Sequence, residues 1–157
     1  MTTVVIGVGN PLLRDDGVGL EVARLVRQRA GTRSGLEVLE LYAGGLRLME
    51  SMVGFDRALV VDAMTTAAAP PGTVREFVPD SATPVRNLHC AHDGDLANAL
   101  AMGHAMELAL PREIRIFGVE AAEVESFGEE LSPPVRQAVP ALVDRILAIV
   151  AHEGGNP

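Results

Sequence analysis

The opening strand and helix constrain this chain most. Val4-Val5-Ile6-Gly7-Val8 is a continuous apolar run rich in β-branched side chains. Such a run reads as a strand buried on both faces, the habit of parallel sheets. Gly9-Asn10-Pro11 breaks it. Val18, Leu20, Val22, Ala23, Leu25 and Val26 then recur at helical spacing, with Glu21, Arg24, Arg27 and Gln28 on the other side. The alternation continues. Leu36 to Leu41 reads as a strand, Leu46 to Met52 as a short helix, and residues 57–61 as a third strand ending on Asp62. Residues 73–78 alternate as a fourth strand. The link before it is short, holds Pro70 and Pro71, and shows no helical pattern. A parallel return needs a long crossover, so this strand is expected to join antiparallel. Residues 79–92 read as irregular, and 93–102 as a helix capped by Asp93. Residues 114–119 form a fifth strand. Residues 133–152 form a closing helix with Ser132 as cap and proline in its first turn.

Strands alternating with helices imply an α/β fold, a sandwich with helices on both sides of a mostly parallel sheet. Residues 1–152 are expected to form a single domain, with 153–157 as a flexible tail. The hydrophobic fraction is 48% and the aromatic fraction only 3%, so the core must be aliphatic.

Charge narrows the function. Thirteen basic residues face 21 acidic ones, for a formal net charge of −8. All thirteen basic residues are arginine, which excludes Schiff-base chemistry and a Walker-type phosphate lysine. An acidic chain without a basic run suits neither nucleic acid nor an anionic membrane. One cysteine, Cys90, closes no internal disulfide and builds no Cys-x-x-Cys zinc site. No apolar run is long enough for a membrane span and no basic segment opens a signal peptide. The expectation is a cytoplasmic protein.

Sites in open α/β sheets gather beyond the carboxyl ends of the strands. There the first strand is followed by Asn10, Arg14, Asp15 and Asp16, the second by Glu40 and Tyr42, and the third by Asp62. The fifth strand is followed by Glu120, and the irregular loop carries His89, Cys90 and His92. Each acid alone reads equally well as a helix cap or turn residue. Together, two carboxylates and an imidazole from three loops suit a divalent metal with open positions, nickel or zinc among them. Gly7-Val8-Gly9-Asn10-Pro11-Leu12 also invites a nucleotide-binding reading. Leu12 replaces the third glycine, however, and Asp15 and Asp16 stand where a pyrophosphate would lie.

Residues 7–19, Gly-Val-Gly-Asn-Pro-Leu-Leu-Arg-Asp-Asp-Gly-Val-Gly, closely resemble the N-terminal signature of the [NiFe]-hydrogenase maturation endopeptidases. Leu59-Val60-Val61-Asp62-Ala63, Pro71-Gly72-Thr73-Val74, His89 before Asp95-Leu96, Phe117-Gly118-Val119-Glu120 and Leu131-Ser132-Pro133 resemble later motifs of that family, in order. The resemblance implies a twisted, mixed five-stranded sheet between helices, a three-layer αβα sandwich of the phosphorylase/hydrolase-like kind. It implies an endopeptidase that removes the C-terminal extension of a nickel-loaded hydrogenase large-subunit precursor and recognises the nickel the substrate supplies. No organic cofactor is implied, and a monomer is the simplest state. The family's metal-recognising positions correspond to Asp16, Asp62 and His89, expected to be both metal ligands and catalytic groups. Asn10, Asp15, Glu40 and His92 would orient ligands or the extension.

Two segments depart from the family pattern. Glu40-Leu41-Tyr42-Ala43-Gly44-Gly45 stands in place of an Asp-x-Gly-Thr segment, and His89-Cys90-Ala91-His92 in place of His-x-x-Gly. His92 therefore competes with His89 as ligand, although spacing to Asp95-Leu96 favours His89. The first departure keeps open a nickel- or precursor-binding factor without cleavage, beside a small nucleotide-binding α/β module.

Overall fold

The computed structural model describes residues 1–80, 82–90 and 94–152, with only the backbone of His89 and Cys90. Asp93, His92 and the expected tail lie outside the described residues. The strands are β1 (Thr3–Val8), β2 (Leu36–Leu41), β3 (Arg57–Met64), β4 (Val74–Phe77), β5 (His89–Cys90), β6 (Gly94–Asp95) and β7 (Glu113–Glu120). The helices are α1 (Val18–Ala30), α2 (Leu46–Met52), α3 (Leu96–Ala105) and α4 (Pro133–Ala151). Two 3-10 turns, Arg14–Gly17 and Arg86–Leu88, complete the described elements.

Five strands form one sheet in the order β2-β1-β3-β7-β4. The first four run parallel, and β4 pairs antiparallel with β7, as the short link before it requires. β5 and β6 make a separate small hairpin; β5 lies in the stretch expected to be irregular and β6 at the start of the expected helix 93–102.

β1, β3 and the second half of β7 are buried on both faces, so their alternate residues feed two cores. Val5, Leu59, Val61, Phe117 and Val119 pack against α1 and α4 through Val18, Val22, Val26, Val139 and Ile146. Ile6, Val60, Met64 and Ile116 pack against α2 and α3 through Leu48, Met52, Leu96 and Leu100. Helices on both faces make this the expected three-layer αβα sandwich. Both cores are aliphatic except for Phe117, the largest fully buried side chain. Fully burying each such aliphatic side chain contributes about 1.5–3 kcal/mol. Among the described residues no helix is long and apolar enough to cross a membrane.

Three local expectations are corrected. β3 does not stop at Asp62 but runs on to Met64. α3 begins at Leu96, and its cap is Asp95, whose carboxylate accepts the Asn98 N–H at 2.8 Å. Ser132 stands at the N-cap of α4 with extended backbone, but its side chain makes no cap bond, because it is bound elsewhere.

Candidate active site at the carboxyl edge of the sheet

The signature segment folds so that its two acids diverge. Residues 14–17 form a 3-10 turn ahead of α1, and both Asp15 and Asp16 are buried. They are therefore not first-turn surface acids. In a 3-10 turn successive side chains point about 120° apart, so adjacent acids reach different neighbours. Asp15 turns toward the loop before α4. It accepts hydrogen bonds from Ser132 N and Ser132 Oγ, both at 2.7 Å, from Ala122 N at 2.8 Å and from Glu123 N at 3.0 Å. Burial raises its pKa, but these bonds outweigh it and hold the carboxyl below 3.8.

Asp16 turns toward the ends of β1 and β3. Its Oδ2 accepts Asn10 N at 3.0 Å. Its Oδ1 accepts Asn87 Nδ2 at 2.8 Å and lies 3.2 Å from Arg86 Nε. Gly9 permits this approach: a Cβ there would stand 1.9 Å from the Asp16 carbonyl oxygen. The glycines of the signature thus serve backbone packing. Gly19 likewise lets α1 sit on the sheet, since a Cβ would meet the Val61 carbonyl oxygen at 2.2 Å.

Asp62 lies inside β3, fully buried, at the rim of the α2–α3 core. Its Oδ1 accepts Asn87 Nδ2 at 2.7 Å and Ala63 N at 2.8 Å, and its Oδ2 accepts Asn87 N at 2.6 Å. Burial dominates its titration and pushes its pKa up from 3.8 to about 8. The Asn87 bonds pull the other way, and the Asp16 charge adds to the rise.

Asp16 and Asp62 therefore meet on one carboxamide. The strap carrying it is anchored by Val85 and Leu88, each 1% exposed, in the α2–α3 core. Val85 also bridges to Met64 at the end of β3. Gly44 closes the other side: a Cβ there would lie 1.8 Å from the Asn87 carbonyl oxygen. The altered segment after β2 thus has a packing role against the strap.

Other sequence candidates fall differently. His89 follows Asn87 on the same strap, its backbone paired with Asp95 in the hairpin. Asn10 joins the site through its backbone; its side-chain oxygen accepts Leu12 N at 2.9 Å and shapes the turn. Glu40 is drawn away, paired with Arg27 at 2.8 Å and Arg24 at 3.6 Å on α1. Tyr42 is exposed. Glu120 is buried and accepts Thr66 Oγ1 at 2.8 Å, fixing the β3–β4 link. Among the described side chains no three His, Cys, Asp or Glu form a metal cage. The paired carboxylates are a partial donor set, open to ligands from elsewhere.

The sequence does not mark Asn87 or Arg86, and it marks Ser132 only as a helix cap within a motif, not as a partner of Asp15. Asn87 and Arg86 sit just ahead of His89, and nothing in their spacing marks them. Ser132 was read as an ordinary cap because Pro133-Pro134 follows it.

Comparison with known proteins agrees with this fold. The hydrogenase maturation protease family matches residues 20–149. The hydrogenase expression/formation protein HoxM of Azotobacter vinelandii is 32% identical, over 96% of this chain and 73% of that one. The hydrogenase 2 maturation protease of Escherichia coli is 27% identical, over 98% of this chain and 93% of that one. Among solved structures, the hydrogenase maturating endopeptidase HybD from E. coli superposes with a TM-score of 0.82 at 25% identity, covering 98% of this chain and 94% of that one. The chain belongs to the hydrogenase maturation protease family.

Proposed function

We propose that this chain is an endopeptidase that removes the C-terminal extension of a nickel-loaded [NiFe]-hydrogenase large-subunit precursor. The observation that carries this reading is the meeting of Asp16 and Asp62, 2.8 and 2.7 Å from one amide nitrogen at the carboxyl edge of the sheet. Asp16, Asp62 and His89 are assigned to the nickel that the precursor brings. Two carboxylates and one imidazole leave coordination positions for the precursor's own ligands. Engaging that metal would hold the scissile segment near the carboxylates, converting an encounter between proteins into a positioned reaction. Hydrolysis then needs a base for water and polarisation of the scissile carbonyl. A site carboxylate is suited to the first role and the substrate's cation to the second. Asp15 is assigned a positioning role through the Asp16 backbone. His92 is kept as the competing imidazole. One chain supplies all these residues, which supports a monomer, and the lone Cys90 suits the reducing cytoplasm.

A processing assay on precursor with and without nickel tests the proposal. Wild type should shorten only the nickel-loaded precursor, and Asp62→Ala should leave it uncut. A wild-type chain that co-purifies with a precursor it never shortens would instead identify a binding factor. Cleavage by Asp62→Ala at the wild-type rate would remove Asp62 from the mechanism.

A further inference from the structure

We propose that the Asn87 side chain is a gate that occupies the cation position between Asp16 and Asp62 until a metal-bearing precursor displaces it. This rests on the assignment of those two acids to the substrate's metal.

The geometry is specific. One nitrogen, Asn87 Nδ2, donates to Asp16 Oδ1 at 2.8 Å and to Asp62 Oδ1 at 2.7 Å. An amide nitrogen carries two protons, so both are spent on the two carboxylates. A divalent transition ion shared by those oxygens would sit about 2.0–2.2 Å from each. The nitrogen and the ion cannot both fit between the same two oxygens. Cation entry therefore requires the amide to leave.

The surroundings let it leave without moving the backbone. Val85 and Leu88 hold the strap in the core, and Gly44 packs directly on the Asn87 carbonyl. Asn87 N keeps its own 2.6 Å bond to Asp62 Oδ2. Asn87 itself is only half-buried, so its carboxamide can rotate outward about its side-chain bonds. Arg86 is a second, weaker occupant: its guanidinium lies 3.2 Å from Asp16 Oδ1 and its side chain is 34% exposed.

The functional consequence is selectivity. A free hydrated cation would trade its water shell for two carboxyl groups and break both Asn87 side-chain hydrogen bonds. A cation already fixed in a docked precursor brings its other ligands and the protein contact with it. The gate thus biases the site against free metal and toward metal presented by the substrate.

Calorimetric titration with Ni2+ alone tests this on the full chain. Asn87→Ala should bind Ni2+ at least about tenfold more tightly than wild type, since the variant lacks both competing hydrogen bonds. Asp62→Ala should abolish that gain. Asn87→Ala that folds with an unchanged thermal midpoint yet binds Ni2+ no more tightly overturns the gate. A second measurement needs no variant of the gate. In 15N-labelled wild type, the Asn87 side-chain amide signal should shift and exchange faster with water as diamagnetic Cd2+ is added. A signal that stays fixed while Cd2+ binds in an Asp62-dependent way also overturns it. In either case, loss of precursor cleavage in Asp62→Ala would leave the endopeptidase reading standing. Binding of Ni2+ by the Asn87→Ala, Asp62→Ala double variant as tight as by Asn87→Ala alone would instead overturn the shared metal assignment.

Discussion

Asp15→Asn isolates the work done by the first acid of the signature, because it keeps the shape and removes the charge. Asp15 is fully buried and receives four hydrogen bonds, from Ser132 N, Ser132 Oγ, Ala122 N and Glu123 N. Three of the donors are backbone N–H groups, which cannot reverse. An asparagine offers one acceptor oxygen, and its NH2 must face at least one of those N–H groups. The chain then loses a hydrogen bond to a charged group, about 1.5–3 kcal/mol, and gains an orphaned buried donor, about 1–3 kcal/mol. Even toward the low end of the combined range, about 3 kcal/mol, the thermal midpoint should fall by roughly 6–12 °C for a chain of this size. The pH dependence supplies a sign. The Asp15 pKa is lowered in the folded state, so its stabilisation is present above 3.8 and is lost as pH falls through the folded value. The gap between wild type and Asp15→Asn should therefore be full at pH 7 and narrow below 3.8. Thermal unfolding followed by circular dichroism across that range reads both quantities. A midpoint within about 2 °C of wild type at pH 7, or a gap indifferent to acid, would refute the clamp.

Two further perturbations probe the strap and the buried acid. Gly44→Ala drives a Cβ into the Asn87 carbonyl, 1.8 Å away, where both partners are backbone. It should cost about 1–3 kcal/mol in a urea titration; an unchanged midpoint would show that the loop yields freely. Asp62 has the opposite linkage from Asp15: its pKa rises to about 8 on folding, so the folded state binds the extra proton. Its contribution is fullest below 3.8 and declines as pH rises toward 8. Wild type should therefore lose stability relative to Asp62→Ala across that window, and parallel stability curves would contradict the burial argument.

The strands and helices were legible because buried parallel strands and amphipathic helices write different periods into the sequence. The errors cluster where a polar residue has an unusual partner. Asp62 looked like a strand end because a carboxylate is seldom buried within a strand. Here Asn87 satisfies it from a strap 25 residues away, and β3 continues past it. Asp93 is the expected cap of the third helix, but α3 starts at Leu96 and Asp95 caps it, a shift that helical periodicity alone does not resolve. Glu40 shared the expected edge with the other acids, but Arg24 and Arg27 on α1 capture it. Proximity in the chain to a strand end places a residue near the site; partners from distant segments decide whether it points there.

The adjacent acids Asp15 and Asp16 show why the signature needs both. A single acid at the turn would either hold the loop before α4 or reach the Asp62 side, because a 3-10 turn sends neighbouring side chains in different directions. Asp15 closes the turn against Ser132 and residues 122–123, fixing the backbone that carries Asp16. Asp16 is then free to spend its carboxylate on Asn10, Asn87 and Arg86. These contacts come from the β1 loop and the strap, the two segments that must stay in register for Asp16 to face Asp62. The same division accounts for Gly9, which admits the Asp16 carbonyl where any side chain would collide. What reads in sequence as a glycine-rich phosphate loop is, in the fold, a brace: one acid anchors it, the other meets Asp62 on Asn87, and the glycine brings its backbone close enough for both.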